Sequence, residues 1–356
     1  MKSSYGNNLK LTIYGASHDA KIGMILEGIP AGLPVDREKL QAFLNRRAPG
    51  RNPWSTARKE GDVPHFLSGI TDGVTNGDPI EAVIYNENVK KSDYDNLKYI
   101  PRPGHADFTA WMKYGLDFDM SGGGPFSGRM TAPMCIAGGL CKQWLEARNI
   151  RIGAHILGID DIGDDKFNFL HPQIEEIDDE FPVLNKKIGE KMRYRIRAVQ
   201  AEGDSLGGLI QCAVTGVPAG IGGCLFGGTE SHLAQIIYSI PAVKALWFGS
   251  GIATFKFQGS EFNDEYGLND GKVTTLTNHN GGILGGITTG MPIIFCVSMK
   301  PTPSIAKPQK SVNLKTMEEV TIQISGRHDP CIVPRAVPVV EAAAAIAMYD
   351  LLLDEN

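Results

Sequence analysis

Apolar and β-branched residues form two similar patterns in separate halves of the chain. Lys21–Glu27 and Gly208–Thr215 are both rich in these residue types, a composition typical of β-strands. Each run leads into a Pro-Ala-Gly turn and then into a helical pattern, over residues 37–44 and 230–238. The chain therefore predicts a strand, a turn and a helix in the same order twice.

These patterns belong to a longer internal similarity. The motif before the turn and the turn itself recur with the same spacing, and a third motif recurs further on. The pairs are Gly15-Ala16-Ser17 with Gly203-Asp204-Ser205, Ile29-Pro30-Ala31-Gly32 with Val217-Pro218-Ala219-Gly220, and Gly77-Asp78-Pro79-Ile80 with Gly290-Met291-Pro292-Ile293. Two copies favour a pseudo-twofold domain over a solenoid, and chance matching among many glycines is the alternative.

Two longer stretches, residues 131–148 and 337–353, are apolar on most faces and rich in alanine or glycine. A helix that is apolar nearly all round is buried on more than one side, so we expect both to lie between sheets. Residues from about 160 to 190 are polar and mostly acidic. We interpret them as a surface excursion within a single α+β domain, residues 1–356, and not as a linker.

Composition and charge narrow the classes of function. The 356 residues carry a formal net charge of −5, whereas a nucleic-acid partner needs a basic footprint. We expect no membrane span, because no apolar run is long enough, and no secretory signal, because the first eight residues lack an apolar core. The six cysteines show no metal-ligand spacing. We therefore expect a cytoplasmic protein with reduced, structural thiols and no metal.

Three separated stretches combine glycine with arginine and histidine. They are residues 14–19 with 46–51, residues 102–107 with 121–129, and residues 280–286 with 300–304, 326–331 and Arg335. Glycine-rich turns let backbone N–H groups converge on phosphate, and arginine binds phosphate or carboxylate in two-point fashion. The combination indicates a site for a small anionic molecule, although a single arginine is more often a solvated surface residue.

Two histidines in these stretches, His18 and His105, are candidates for proton transfer because histidine titrates near neutrality. A histidine that is only hydrogen-bonded in the core is the alternative for each. No GxGxxG, GxxxxGK[ST] or HExxH motif is present, which removes most nucleotide-binding functions and HExxH-type metal-dependent hydrolysis.

Together the three stretches resemble the chorismate synthase family. Gly15-Ala16-Ser17-His18 resembles the first family signature, residues 124–140 the second, and residues 327–342 the third. The similarity runs in family order from Tyr5 to Leu353. The sequence departs from the family pattern at positions that bear on cofactor affinity, namely Ala16, Asp19, Pro53, Pro125, Phe126, Gly128 and Met130.

The resemblance implies a β-α-β sandwich of buried helices between antiparallel sheets, assembled as a homotetramer. It implies a lyase that eliminates phosphate from 5-enolpyruvylshikimate 3-phosphate to give chorismate, with reduced FMN as cofactor. The reduced flavin would come from the enzyme's own NADPH-dependent activity or from an external flavin reductase. A flavin oxidoreductase that uses the same pocket, a family member with weakened activity, and a scaffold protein that binds neither ligand remain alternatives.

The resemblance also implies residue roles. The catalytic residues would be His18, His105 and Asp329, and the substrate-binding residues Arg47, Arg102, Arg129 and Arg335. The residues lining FMN would be Ser127, Ala242, Gly285, Lys300, Pro301, Thr302, Pro303, Ser304 and Arg327.

Overall fold

The computed structural model describes residues 2–50, 60–86, 98–178, 180–324 and 329–354. Its helices are α1 (Arg37–Arg47), α2 (Asp107–Tyr114), α3 (Thr131–Glu146), α4 (Lys186–Ala201), α5 (Thr229–Ile237), α6 (Gly259–Phe262) and α7 (Val333–Leu353). Its strands are β1 (Lys2–Tyr5), β2 (Lys10–Tyr14), β3 (Lys21–Glu27), β4 (His65–Ser68), β5 (Ile70–Thr71), β6 (Val74–Thr75), β7 (Ile80–Tyr85), β8 (Arg151–Ile159), β9 (Ile162–Gly163), β10 (Gly208–Thr215), β11 (Ala219–Gly222), β12 (Val243–Phe248), β13 (Tyr266–Asn269), β14 (Lys272–Thr275), β15 (Ile283–Leu284), β16 (Ile287–Thr289), β17 (Ile293–Met299), β18 (Gln309–Asn313) and β19 (Glu318–Ile322).

Two five-stranded antiparallel sheets form the outer layers of the described residues. Their strand orders are β1-β2-β3-β7-β4 and β12-β17-β10-β8-β9. Between them, α3 packs on β3 of the first sheet, and α7 packs on β8 and β10 of the second. Helix α1 packs on α3, and α5 packs on α7. The α+β class, with helices between antiparallel sheets, is therefore confirmed.

The internal duplication is visible in the topology. Leaving insertions aside, β2, β3, α1, β4, β7, α3 and β8, β10, α5, β12, β17, α7 follow one another in the same order and take the same places in their sheets. Thr75 Oγ1 donates to the Pro30 carbonyl at 2.6 Å, and Thr288 Oγ1 donates to the Pro218 carbonyl at 2.7 Å. Each hydroxyl also accepts the backbone N–H three residues after that proline, at 2.9 and 3.0 Å. The similarity seen in the sequence is therefore a repeated structure.

Helix α7 occupies the centre of the sandwich. It is apolar and long enough to cross a membrane, but 94% of its most apolar window is buried inside the protein. It crosses α3 so closely that a Cβ on Gly138 would overlap the Cα of Ala342. Small residues therefore set the distance between the two central helices.

All six cysteines are free thiols, and five of them are buried.

Two buried carboxylates tie α7 to the rest of the fold. Glu341 accepts hydrogen bonds from Arg46 at 2.7 and 2.8 Å, from Lys142 at 2.7 Å and from a backbone N–H of β8 at 3.2 Å. Asp350 accepts the backbone N–H groups of residues 7–9 at 2.8 to 3.2 Å. The last helix thus holds the start of the chain, because each buried charge needs a partner.

The polar segment at about 160–190 carries its own anchors. Phe167 and Phe181 are buried, and His155 of β8 lies between Asp164 and Gln211, at 3.2 Å from each. Phe181 belongs to the main hydrophobic core, which joins residues from both ends of the chain. The segment therefore packs on the same hydrophobic core as residues from both ends of the described chain.

Candidate active site

A cleft of about 760 Å³ lies where the N-terminal ends of α3 and α7 meet. Helix N-termini carry a partial positive charge of about half an elementary charge, so both ends favour an anion. The charged residues that line the cleft come from distant parts of the chain: Arg47, Glu60, Arg102, His105, Arg129, Lys244, Lys300, Asp329 and Arg335.

A glycine loop forms one wall of this cleft. Gly122, Gly123 and Gly124 have φ angles of 60°, 91° and 53°, which L side chains rarely adopt. A Cβ on Gly122 would overlap the ring of His18, and a Cβ on Gly123 would lie 3.3 Å from His105 Nε2. His18 does not itself line the cleft, but its ring packs against a glycine that does. Both candidate histidines therefore flank one loop that only glycine can form.

His105 belongs to a compact ionic group with Arg102 and Asp107. Arg102 binds the Asp107 carboxylate through Nε at 2.7 Å and Nη2 at 2.8 Å, and His105 Nδ1 lies 2.7 Å from Asp107 Oδ1. Burial opposes ionisation of Asp107, but its bonds to Arg102 and His105 outweigh burial and lower its pKa. Burial also lowers the pKa of His105, against the effect of Asp107. The imidazole is therefore held in place but gives up its proton readily.

Two buried acids join two of the expected substrate-binding arginines. Asp62 forms ion pairs with both Arg47 and Arg129, and Glu60 lies 2.6 Å from Arg129 Nη2. Burial opposes the ionisation of Asp62, but the two guanidinium groups more than compensate and lower its pKa. On the opposite side, Arg335 pairs with Asp329 and donates through Nε to the Arg47 carbonyl at 2.9 Å. The four arginines of the site are thus held by carboxylates.

The remaining wall comes from the end of β17 and the loop after it. The Lys300 ammonium donates to the Gly104 carbonyl, and its backbone N–H donates to Ala242 at 3.0 Å. Ser304 Oγ accepts from Arg102 at 3.4 Å. Thr302 Oγ1 is buried and has no hydrogen-bond partner among the described residues. Such an atom in a cleft wall is typical of a position that a polar ligand satisfies.

Comparison with known proteins identifies the family of the chain that forms this cleft. A family model described as chorismate synthase matches residues 9–353. The chain belongs to the chorismate synthase family. The chorismate synthase of Lancefieldella parvula is 46% identical over 99% of this chain and 96% of its own length. That of Korarchaeum cryptofilum is 41% identical over 98% and 97%. A solved structure titled "Crystal Structure of Chorismate Synthase" superposes with a TM-score of 0.78 at 29% identity, covering 98% of this chain and 93% of that one.

These findings confirm the resemblance and the enzyme class, since chorismate synthases are lyases. Of the residues implied by the resemblance, twelve line the cleft together: Arg47, Arg102, His105, Ser127, Arg129, Ala242, Lys300, Thr302, Pro303, Ser304, Asp329 and Arg335.

Three other residues expected in a chorismate synthase site stand apart from the lining. His18 lies behind Gly122, as described above, and Pro301 is exposed between two lining residues. Gly285 lies in the exposed turn between β15 and β16, beside the N-terminus of α5. The lining begins at the other end of that nine-residue helix, about 14 Å away. Arg327, like Pro53 among the departures, falls outside the described residues.

Of the acidic residues of the site, the sequence interpretation named Asp329 and missed Glu60, Asp62 and Asp107. Asp107 ends the same Arg-Pro-Gly-His-Ala-Asp segment that contains His105, so the sequence itself indicates that the two side chains lie close together. Glu60 and Asp62 stand in no recognised motif, and only the fold brings them to Arg47 and Arg129.

Proposed function

We propose that this chain eliminates phosphate from 5-enolpyruvylshikimate 3-phosphate to give chorismate, with reduced FMN as cofactor. One observation carries the proposal: guanidinium groups and His105 converge on a single cleft beside a glycine loop that also contacts His18, in a chain of the chorismate synthase family. The substrate bears a phosphate and two carboxylates, so a cleft with several cations is what it requires despite the acidic total charge.

The four arginines are proposed to bind these anionic groups. A guanidinium group has five N–H donors in a fixed fork, so a pairing with Asp62 or Asp329 leaves donors for a second anion. Charge-assisted bonds of this kind contribute about 1.5–3 kcal/mol each. The carboxylates orient Arg47, Arg129 and Arg335 before substrate arrives, which lowers the entropy cost of binding.

The cleft fits a flavin as well as a substrate. Its volume lies within the range of about 300–1,000 Å³ for ligand sites, and Thr302 Oγ1 offers a buried, unsatisfied hydroxyl. We propose that Ser127, Ala242 and residues 300–304 hold the cofactor, with Lys300 supplying positive charge. When bound, reduced FMN supplies an electron transiently to the breaking C–O bond. The protein binds, orients and excludes water around it.

The proton steps are assigned to three groups. His105 Nε2 faces the glycine loop, and we assign it the proton given to the leaving phosphate. The imidazolium form of His105 carries this proton on Nε2, and the lowered pKa of the ring favours its release. His18 is assigned to the protonation state of the flavin, and Asp329 to assistance in proton transfer at its reactive nitrogen.

A homotetramer in the cytoplasm is proposed as the functional form. Around β13 and β14, several large apolar side chains are exposed, including Tyr266 at 66%, Leu268 at 78% and Val273 at 69%. Contiguous apolar surface of this kind marks protein contacts. A flavin-site role for Gly285 requires a neighbouring copy, since one chain leaves it on the far side of α5. Light scattering of the wild type and of Leu268→Asp tests this: a wild-type monomer contradicts the proposal.

An anaerobic assay tests the reaction itself. With dithionite-reduced FMN, the purified protein is expected to release phosphate and chorismate, and with oxidised FMN neither. His105→Ala is expected to fold normally and lose on the order of 10²-fold in turnover, the usual contribution of a general acid. Absence of phosphate release under reducing conditions contradicts the proposal. Net consumption of NADPH without phosphate release favours a flavin oxidoreductase, and NADPH-driven product formation without dithionite favours an internal flavin reductase.

A further inference from the structure

The buried carboxylate of Asp107 has no role in the proposed mechanism, yet it touches the proposed acid. Asp107 is 2% exposed and does not line the cleft. Three bonds from Arg102 fix its position: the backbone N–H at 3.0 Å, Nε at 2.7 Å and Nη2 at 2.8 Å. It stands in the first turn of α2, two residues after His105. Whatever it contributes to the reaction must therefore pass through a neighbour.

Hydrogen-bond chemistry decides which ring nitrogen of His105 carries its proton. Nδ1 lies 2.7 Å from Asp107 Oδ1 and 3.1 Å from Arg102 Nη2. An ionised carboxylate only accepts hydrogen bonds, and a guanidinium group only donates them. A lone pair on Nδ1 would therefore face carboxylate lone pairs at the shorter distance. A proton on Nδ1 would complete a charge-assisted bond to Asp107.

The energies favour the proton on Nδ1. Asp107 stays ionised because the bonds from Arg102 and His105 lower its pKa despite burial. A hydrogen bond to a charged group contributes about 1.5–3 kcal/mol, which corresponds to a preference of roughly tenfold to a hundredfold. The alternative bond, from Arg102 to Nδ1, is longer, and the same Nη2 already donates to Asp107 Oδ1.

We propose that Asp107 is a positioning residue that holds the His105 proton on Nδ1, so that Nε2 is the nitrogen that exchanges protons in the cleft. Nε2 lies 3.3 Å from the position that a Cβ on Gly123 would occupy, and His105 itself lines the cleft. The catalytic role of Asp107 rests on the proposed function, whereas the assignment of the His105 proton to Nδ1 does not.

Nitrogen-15 NMR of histidine-labelled protein measures the tautomer directly, without any assay of turnover. The His105 signals are assigned by their loss in His105→Gln. In the wild type at a pH where the ring is neutral, we expect a protonated Nδ1 and an unprotonated Nε2. Asp107→Asn is expected to raise the fraction with Nε2 protonated. Asp117→Asn, an exposed aspartate beyond the same helix, is the matched control and leaves the signals unchanged. A wild-type ring protonated at Nε2 overturns the proposal.

A double-mutant cycle on phosphate release separates positioning from a general structural effect. Asp107→Asn is expected to lower kcat by up to the order of 10²-fold, the contribution of the acid it orients. In the His105→Ala background the same change is expected to alter kcat by no more than about threefold. Asp107→Glu keeps a carboxylate and is therefore less liable to misfold than Asp107→Asn. It is expected to retain more of the wild-type rate.

The effect of Asp107→Asn in the His105→Ala background decides the matter. A full loss of kcat from Asp107→Asn in the His105→Ala background overturns the proposal, because the effect then passes through Arg102 or the fold. Changes in KM are expected in both backgrounds, since Arg102 loses a partner in each. If the wild type releases no phosphate at all, the proposed function fails, while the NMR measurement still decides the tautomer.

Discussion

Replacing Glu341 by glutamine removes one negative charge from the centre of the sandwich and keeps the shape of the side chain. The carboxylate is 1% exposed, and it accepts bonds from two cations, Arg46 and Lys142, at 2.7 to 2.8 Å. Glutamine retains one acceptor oxygen but brings an NH2 group against these donors. The variant therefore leaves two positive groups without their counter-charge, and we expect a less stable protein.

Two routes give a similar magnitude for this loss. Removing one partner of a buried ion pair costs about 3–5 kcal/mol, and the lower end applies because the cations are 34% and 18% exposed. Independently, burial opposes ionisation of Glu341, but Arg46 and Lys142 outweigh it and lower its pKa from 4.5 to about 2. Each pKa unit corresponds to about 1.4 kcal/mol, so the shift amounts to roughly 3 kcal/mol.

The sign of the pH dependence follows from the lowered pKa. Because the folded protein binds the Glu341 proton more weakly than the unfolded chain, the stabilisation is complete above the unfolded pKa of 4.5 and is lost as the pH falls towards 2. The wild type should therefore lose its advantage over Glu341→Gln as the solution is acidified through that window.

Urea unfolding followed by circular dichroism measures both effects. Near neutral pH the variant is expected to be about 3 kcal/mol less stable than the wild type, and the difference should shrink below the unfolded pKa. Glu175→Gln is the control, since its ion pair with Arg151 is exposed on both sides and such pairs contribute about 0–1 kcal/mol. A loss as small as the control's, or one that does not change with pH, would refute the reasoning.

Four further substitutions test the fold and the site. Thr75→Val and Thr288→Val each remove two matched hydrogen bonds, so both should cost a similar 1–3 kcal/mol or so in urea unfolding; clearly unequal losses would contradict the structural equivalence. Gly138→Ala places a methyl group against the backbone of α7 and should cost about 1–3 kcal/mol, seen as a lower melting temperature; an unchanged temperature contradicts the close packing. Gly122→Ala would displace His18, so we expect weaker binding of reduced FMN by anaerobic titration, with a stability loss of about 1–2 kcal/mol from the positive φ; an unchanged affinity would contradict a role of the glycine loop in cofactor binding.

The sequence predicted best those elements whose ends are determined by residues next to them in the chain. The strands Lys21–Glu27 and Gly208–Thr215 have the predicted bounds, because each apolar run ends at a glycine with positive φ, Gly28 or Gly216. Helix α7 begins four residues before its predicted start at position 337. Its first turn contains a proline, which helix starts tolerate but which the apolar pattern does not indicate.

The same distinction between local and long-range features applies to the site. Most of its cations and both candidate histidines lie in motifs, so sequence reasoning named them. The acids that hold Arg47 and Arg129 became evident only from the fold, because Glu60 and Asp62 reach Arg129 across 69 and 67 positions of chain, and Asp62 reaches Arg47 across 15. Gly285 shows the opposite case. The family motif assigns it to the cofactor site, but within one chain it lies outside the cleft.

The position of α7 has a consequence for how the protein folds. Helix α7 packs on α3 and on two strands of the second sheet, and its Asp350 binds the backbone of residues 8 and 9, which lie 342 and 341 positions away along the chain. Contacts between such distant positions form slowly, because the entropy cost of closing the intervening chain comes before the gain from the contact. We therefore expect the inner faces of the sheets to be covered late in folding, and protection of that apolar surface by a chaperone fits this order of events.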